Sequence, residues 1–193
     1  MIRLATEEDI PAILEIYAPY VQNTTYTFEY TVPTAEEFTE RFRGITRQCP
    51  WAVWEENGKV LGYAYGSLPF ERAAYRWCSE LSVYLAPEAQ GRGIGRKLYT
   101  FLEKVLQLQG YQVIYVLITS ENAGSLAFHE KLGYRLTCQM PRCGYKHGRW
   151  LGVVWMEKRL SDVEHPESMP VSWRTVLHSD DKILDTLANL GLS

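Results

Sequence analysis

The sequence is poor in cysteine, in histidine and in net charge. Its four cysteines, Cys49, Cys78, Cys138 and Cys143, include no C-x-x-C pair. Cys138 and Cys143 lack a second pair and a histidine at zinc spacing, which excludes the common structural zinc sites. Reduced thiols in a cytoplasmic protein are expected, and no metal. Lysine and arginine number 20 against 23 acidic residues, a net charge of −3. General nucleic-acid binding needs a basic surface to displace counterions, so it is not expected. No apolar run approaches the length of a membrane-crossing helix. The acidic start, Met1-Ile2-Arg3-Leu4-Ala5-Thr6-Glu7-Glu8-Asp9, has no apolar stretch of signal type. Internal repeats and low-complexity tracts are also missing.

What is present is one domain's worth of chain with some to spare. The 193 residues are 46% hydrophobic, enough for a core without covalent staples. Aromatic residues are in surplus, with 13 Tyr, 6 Trp and 6 Phe. Ile2–Leu4 predicts a short strand. Thr6-x-x-Asp9 and Thr34-x-x-Glu37 predict two helix starts, and residues 21 to 33 between them predict a loop or lid. Two strands flank the Asn57-Gly58 hairpin signal. Cys78–Leu85 alternates, with Leu81, Val83 and Leu85 on one face and Glu80, Ser82 and Tyr84 on a polar, half-exposed one. A glycine-rich loop, an amphipathic helix, the buried strand Val113–Thr119 and a helix from Ala123 follow. A closing hairpin turns at His147-Gly148. The order predicts an α+β class, a mostly antiparallel sheet flanked by helices. Residues 161 to 170 predict a linker. Ser179 is expected to cap a last helix bearing Ile183, Leu184, Leu187 and Leu190.

The sharpest motif is Gln90-Gly91-Arg92-Gly93-Ile94-Gly95, between a strand and a helix. Glycines let a backbone approach its ligand, and N–H groups at a helix start attract phosphate. The spacing fails the dinucleotide fingerprint, because Arg96 stands where its last glycine belongs. It also fails the G-x-x-x-x-G-K-[ST] phosphate loop, because Leu98 follows Lys97. It meets Q/R-x-x-G-x-G/A.

That motif, followed by a helix, a buried strand and an Asn-containing helix, resembles the acyl-CoA site of GNAT-type N-acetyltransferases over about residues 1 to 160. The resemblance is nearest to the phosphinothricin and methionine sulfoximine branch. It rests on Arg72-x-x-Tyr75-x-Trp77-x-x-Glu80, Ser82-Val83-Tyr84, Phe128-His129-Glu130-Lys131-Leu132-Gly133-Tyr134 and Tyr145-Lys146-His147-Gly148-Arg149-Trp150. Many general members carry Tyr where this chain has His129. The resemblance implies a GNAT-type fold over 1–160 and acetyl-CoA as cofactor, while the linker and helical extension over 161–193 have no counterpart in the branch. The pyrophosphate would meet amides of Gln90, Gly91, Arg92, Gly93, Ile94, Gly95 and Arg96. The pantetheine arm would run along Val83, Tyr84 and Leu85, with Asn122 and Ser125 on the facing helix.

Acetyl transfer needs a free amine, a polarised thioester carbonyl and a proton for the departing thiolate. Glutamate is depleted in strands, so Glu80 needs a reason for its place. The branch has its catalytic Glu there. His129 also matches a branch position, and its ordinary pKa suits proton exchange near neutrality. Glu80 is assigned as base and His129 as proton-handling or orienting partner, with the roles exchangeable. A backbone N–H near Val83 would meet the carbonyl oxygen. An amino-acid-like acceptor carries a carboxylate that an arginine fork can clamp. Arg72 leads for that role with Tyr75 beside it, and Phe28, Trp77 and Tyr84 would wall the site. Lys146 and His147 on the closing hairpin would complete it, in the same or a neighbouring subunit. Tyr and Trp also favour subunit interfaces, so a homodimer is expected. Acetylation of a different amine, and acyl-CoA binding without catalysis, remain the alternatives.

Overall fold

The computed structural model describes residues 1–179. Strand β1 (Ile2–Leu4) leads through a 3-10 turn into α1 (Ile10–Asn23). Asp9 Oδ2 accepts from the Thr6 amide at 2.8 Å, closing the first capping box. Helix α2 (Ala35–Thr46) starts in the same way, with Thr34 Oγ1 accepting from the Glu37 amide at 3.2 Å. Such a start is worth about 1 kcal/mol. Strands β2 (Trp51–Glu56) and β3 (Lys59–Ser67) turn at Asn57 and Gly58. Their φ values of 51° and 77° match the paired left-handed residues of a tight hairpin.

Strand β4 (Cys78–Leu85), α3 (Ile94–Gln109), β5 (Val113–Thr119) and α4 (Ala123–Lys131) form the central unit. Strands β6 (Arg135–Lys146) and β7 (Arg149–Arg159) close the sheet, whose order is β1-β2-β3-β4-β5-β7-β6. Only the β4–β5 pair is parallel, which is the expected mixed, mostly antiparallel class.

Strand β4 keeps the expected half-exposure on its polar face, where Glu80, Ser82 and Tyr84 are all partly accessible. Ser79 and Leu81 are buried on the α3 side. On the other side Tyr84 packs its ring against Tyr17 and Tyr20 of α1, at 4.9 and 5.2 Å. Helix α1 covers much of that face, so Glu80 is largely buried though not sealed from solvent.

Helix α5 (Trp173–Ser179) begins well ahead of Ser179, where a helix start was expected. The stripe Ile183, Leu184, Leu187 and Leu190 lies outside the described residues. The chain before α5 straps the ends of α2 and α3 together. Trp173 Nε1 donates to Thr46 O at 2.8 Å, Ser172 Oγ to Arg47 O at 3.2 Å, and the Val171 amide to Gln109 O at 2.9 Å. Helix carbonyls without an internal partner are met this way. Among the described residues no helix is long and apolar enough to cross a membrane.

Candidate active site

Strands β4 and β5 pair only where Cys78–Glu80 meets Val113–Tyr115. Beyond Glu80 they part, and the β4 edge from Leu81 to Leu85 has no strand on that side. A cavity of about 80 Å³ fills the opening, walled by Ser82, Val83 and Tyr84 of one strand and Leu117, Ile118 and Thr119 of the other. Tyr99, Asn122, Ser125 and His129 face it from α3 and α4. A larger cleft of about 490 Å³ adjoins it. That cleft is lined by Val83, Leu85, Gln90, Gly91, Gly93, Ile94, Gly95, Arg96, Asn122 and Ser125, with Tyr20, Tyr26 and Phe128. Arg92 does not line it, because its guanidinium is turned away to Glu56 at 2.8 Å.

Gly91 and Gly93 have φ of 72° and 77°, with open space where a side chain would project. Conformation reserves these positions for glycine. Gly95 is different, since a Cβ there would sit in ordinary contact with the Phe128 ring at 3.4 Å. No side chain caps α3, so its first N–H groups are left for a ligand. Asn122 Oδ1 accepts from the Ser125 amide at 3.1 Å, which leaves its own NH2 group free to reach into the cleft. Tyr20 was not singled out in the sequence. Its hydroxyl donates to Leu85 O at 2.7 Å and occupies part of the open β4 edge.

His129 is 2% exposed. Its Nδ1 lies 2.8 Å from Ser125 O, which places the proton there by the hydrogen-bond network. Nε2 is then the acceptor for Tyr99 Oη at 2.9 Å. Burial pushes the His129 pKa down to about 4, so the ring is neutral at neutral pH. This departs from the expected exchange near neutrality, and desolvation is the cause. Tyr99 is the second residue that sequence reading missed. It sits among the apolar positions of an amphipathic helix, where its hydroxyl gives no signal. In the fold that hydroxyl lies between His129 and Leu81 O, 3.4 Å away.

By strand alternation Glu80 projects from the opposite face of the sheet. It has no hydrogen bond to His129 among the described contacts, and burial without a cationic partner raises its pKa above the usual carboxylate value. Its charge is felt by both Tyr65 and Tyr99.

An open strand edge beside a bare helix start fits an extended arm ending in a pyrophosphate, and the comparisons agree. Residues 2–155 match the model of the acetyltransferase (GNAT) domain. The chain belongs to the GNAT acetyltransferases. A phosphinothricin N-acetyltransferase from Alcaligenes faecalis is 36% identical over 172 residues, 86% of each chain. An L-methionine sulfoximine/L-methionine sulfone acetyltransferase from Salmonella typhimurium is 36% identical, covering 86% of this chain and 98% of the relative. The crystal structure of a phosphinothricin acetyltransferase from Sinorhizobium meliloti in complex with acetyl-CoA superposes with a TM-score of 0.82 at 38% identity. That match covers 89% of this chain and 92% of the other. The protein is an acetyl-CoA-dependent N-acetyltransferase.

In this acetyltransferase the residues expected to hold the acceptor fall into two groups. Tyr75 packs on Phe70 in a tilted pair at 4.7 Å, and Phe70 stacks on Trp155 at 6.0 Å and lies near Tyr115 at 6.3 Å. Tyr115 is the register partner of Glu80, so this aromatic group flanks the carboxylate. Arg72 opens the 3-10 turn that carries Tyr75, and Trp77 keeps a buried indole N–H without a partner. The second group does something else. Lys146 Nζ donates to Thr27 O at 2.8 Å, His147 Nε2 meets Thr24 O at 3.2 Å, and Tyr30 Oη donates to Tyr145 O. Phe28 packs on Gly144, where a Cβ would collide with its ring. An irregular loop has backbone carbonyls that need donors. The β6–β7 tip supplies them and pins residues 24–30 over the sheet, a role that the residue types alone did not signal.

Proposed function

We propose that this acetyltransferase acetylates the primary amine of a small amino-acid-like acceptor of the phosphinothricin or methionine sulfoximine type. The observation that carries the reading is Glu80, a largely buried carboxylate without a cationic partner. It is flanked by aromatic rings and stands where the sheet opens toward the acetyl-CoA cleft. A carboxylate with a raised pKa takes a proton from a bound ammonium more readily than a solvated one. The Gln90–Arg96 amides and the Val83 edge hold the cofactor. A backbone N–H near Val83 meets the carbonyl oxygen. Neutral His129 fixes the Tyr99 hydroxyl at the wall of the cavity. Residues 1–160 act as the catalytic unit and 161–193 as its extension. The half-exposed Tyr75 and the exposed Leu117 support a homodimer, and the reduced cysteines support a cytoplasmic setting.

Incubation with acetyl-CoA and a panel of amines, followed by thiol release, tests the reading. Turnover of methionine sulfone and phosphinothricin, with polyamines, aminoglycosides and peptide amino termini left untouched, is expected. Preference for any of those three groups refutes it. Sedimentation tests the dimer.

A further inference from the structure

The edge of β4 that faces the opening is not uniformly bare. The Ala86 amide donates to Leu61 O of β3 at 2.9 Å. By antiparallel alternation Ser82 and Tyr84 also turn their backbone groups to β3, while Leu81, Val83 and Leu85 turn theirs to the opening. Tyrosine hydroxyls already stand at both ends of that row. Tyr99 Oη donates to Leu81 O at 3.4 Å. Tyr20 Oη donates to Leu85 O at 2.7 Å and accepts from the Leu85 amide at 3.4 Å. Gln90 Nε2, at the start of the glycine loop, donates to the same oxygen at 3.3 Å. The Tyr20 hydroxyl thus gives its one proton and receives two, which leaves it no capacity for a ligand. Its half-buried ring is set edge-on to Tyr84 at 5.2 Å. Of the three residues Val83 alone has no hydroxyl on its N–H or C=O among the described contacts.

Resting on the cofactor placement proposed above, we infer that Tyr20 is a positioning residue. By holding Leu85 it confines the pairing of the pantetheine arm to Val83, and so sets how far the thioester reaches toward Glu80. Leu85 lies two residues beyond Val83, about 7 Å further from Glu80 along the strand. An arm drawn toward Leu85 carries its thioester back from the carboxylate, and a misplacement of about 1 Å can cost about 100-fold in rate. The Gln90 contact ties the same hydroxyl to the loop proposed for the pyrophosphate, so one side chain relates the two anchors of the cofactor.

Tyr20→Phe tests this, since it removes the hydroxyl and keeps the ring on Tyr84. Acetyl-CoA should bind the variant as tightly as wild type or more so, while kcat with the best acceptor of the amine panel falls by about 10-fold or more. S-acetylpantetheine lacks the pyrophosphate, so the strand edge alone positions it, and its kcat/KM should fall about tenfold further than that of acetyl-CoA. A merely structural role would weaken acetyl-CoA binding and slow both donors alike. Equal loss on both donors, affinity lost in step with the rate, or an unchanged kcat overturns the role of Tyr20 alone. Gly93→Val is the control for the cofactor placement. If it leaves acetyl-CoA affinity unchanged, the cleft does not hold the cofactor, and that placement falls together with this inference.

Discussion

Replacing Glu80 by Gln separates catalysis from stability in a way the structure makes quantitative in sign. The substitution keeps size and shape and removes the charge. General base catalysis contributes typically 100- to 10,000-fold, so kcat/KM should fall by about that factor, equivalent to about 3–5 kcal/mol of barrier. Acetyl-CoA affinity should be unchanged, because Glu80 lines neither the cavity nor the cofactor cleft. Burial raises the Glu80 pKa above its ordinary 4.5, so the folded state holds this proton more tightly than the unfolded chain. Between the two pKa values the folded state binds more protons, and wild-type stability falls as pH rises through that window. The Gln variant has no such loss. It should therefore melt at a higher temperature than wild type above the raised pKa and converge with it at low pH. The rate must rise with pH through the same raised pKa, since only the ionised carboxylate accepts a proton. Thiol-release kinetics and thermal melts from pH 4 to 9 read both effects. A rate unchanged in the variant refutes the base. A melting difference that does not grow with pH refutes the buried, unpaired carboxylate from which the base was argued.

Two further outcomes are expected. Gly93→Val places a branched side chain at φ 77° and should weaken acetyl-CoA binding by at least tenfold in equilibrium titration, although nothing stands within 4 Å of the new Cβ. Unchanged affinity would mean that the loop conformation does not serve the cofactor. Trp173→Ala removes a partly buried ring and the donor to Thr46 O, a loss of about 2 kcal/mol. For a domain this size that lowers Tm by about 4–8 °C, with kcat at 25 °C nearly unchanged. An unshifted Tm would show that the strap is not holding α2 to α3.

The fold was legible wherever chemistry repeats locally. Thr6, Thr34 and Asn57-Gly58 announce their own caps and turn, and the order of elements follows from them. The cleft proposed for the cofactor is lined by the glycine loop read from the sequence, because Gly91 and Gly93 answer a backbone requirement that few other motifs impose. The Arg92 guanidinium has no part in that reading, which concerns its amide; it pairs with Glu56, a neighbour visible only in three dimensions. Lys146 and His147 read as acceptor ligands because hairpin-tip cations suit an anion equally well. The carbonyls of residues 24 and 27 that they serve carry no sequence signal. Tyr99 and Tyr20 stayed hidden because each sits in a helical pattern whose period explains it without its polar end. The start of α5 was misplaced because Ser179 looks like a cap, while Trp173 is fixed by carbonyls more than 120 residues earlier in the chain.

The separation of Glu80 from His129 is the part of the site with most mechanistic content. An acid and a base that touched would exchange their proton with each other, and one of the two steps would be lost. Here the sheet stands between them, with Glu80 at the last position where β4 and β5 are paired. Each group is kept in the state its proposed step requires by the same physical agent. Desolvation raises the carboxyl pKa on one face, which makes Glu80 a stronger base once ionised. On the other face it lowers the imidazole pKa to about 4, which keeps His129 neutral so that Nε2 accepts from Tyr99. Tyr99 is thus held at the cavity wall, while Glu80 is the group proposed to take the proton of the amine. The opening in the sheet that admits the pantetheine arm is, on this argument, also what lets two groups on opposite faces act on one thioester.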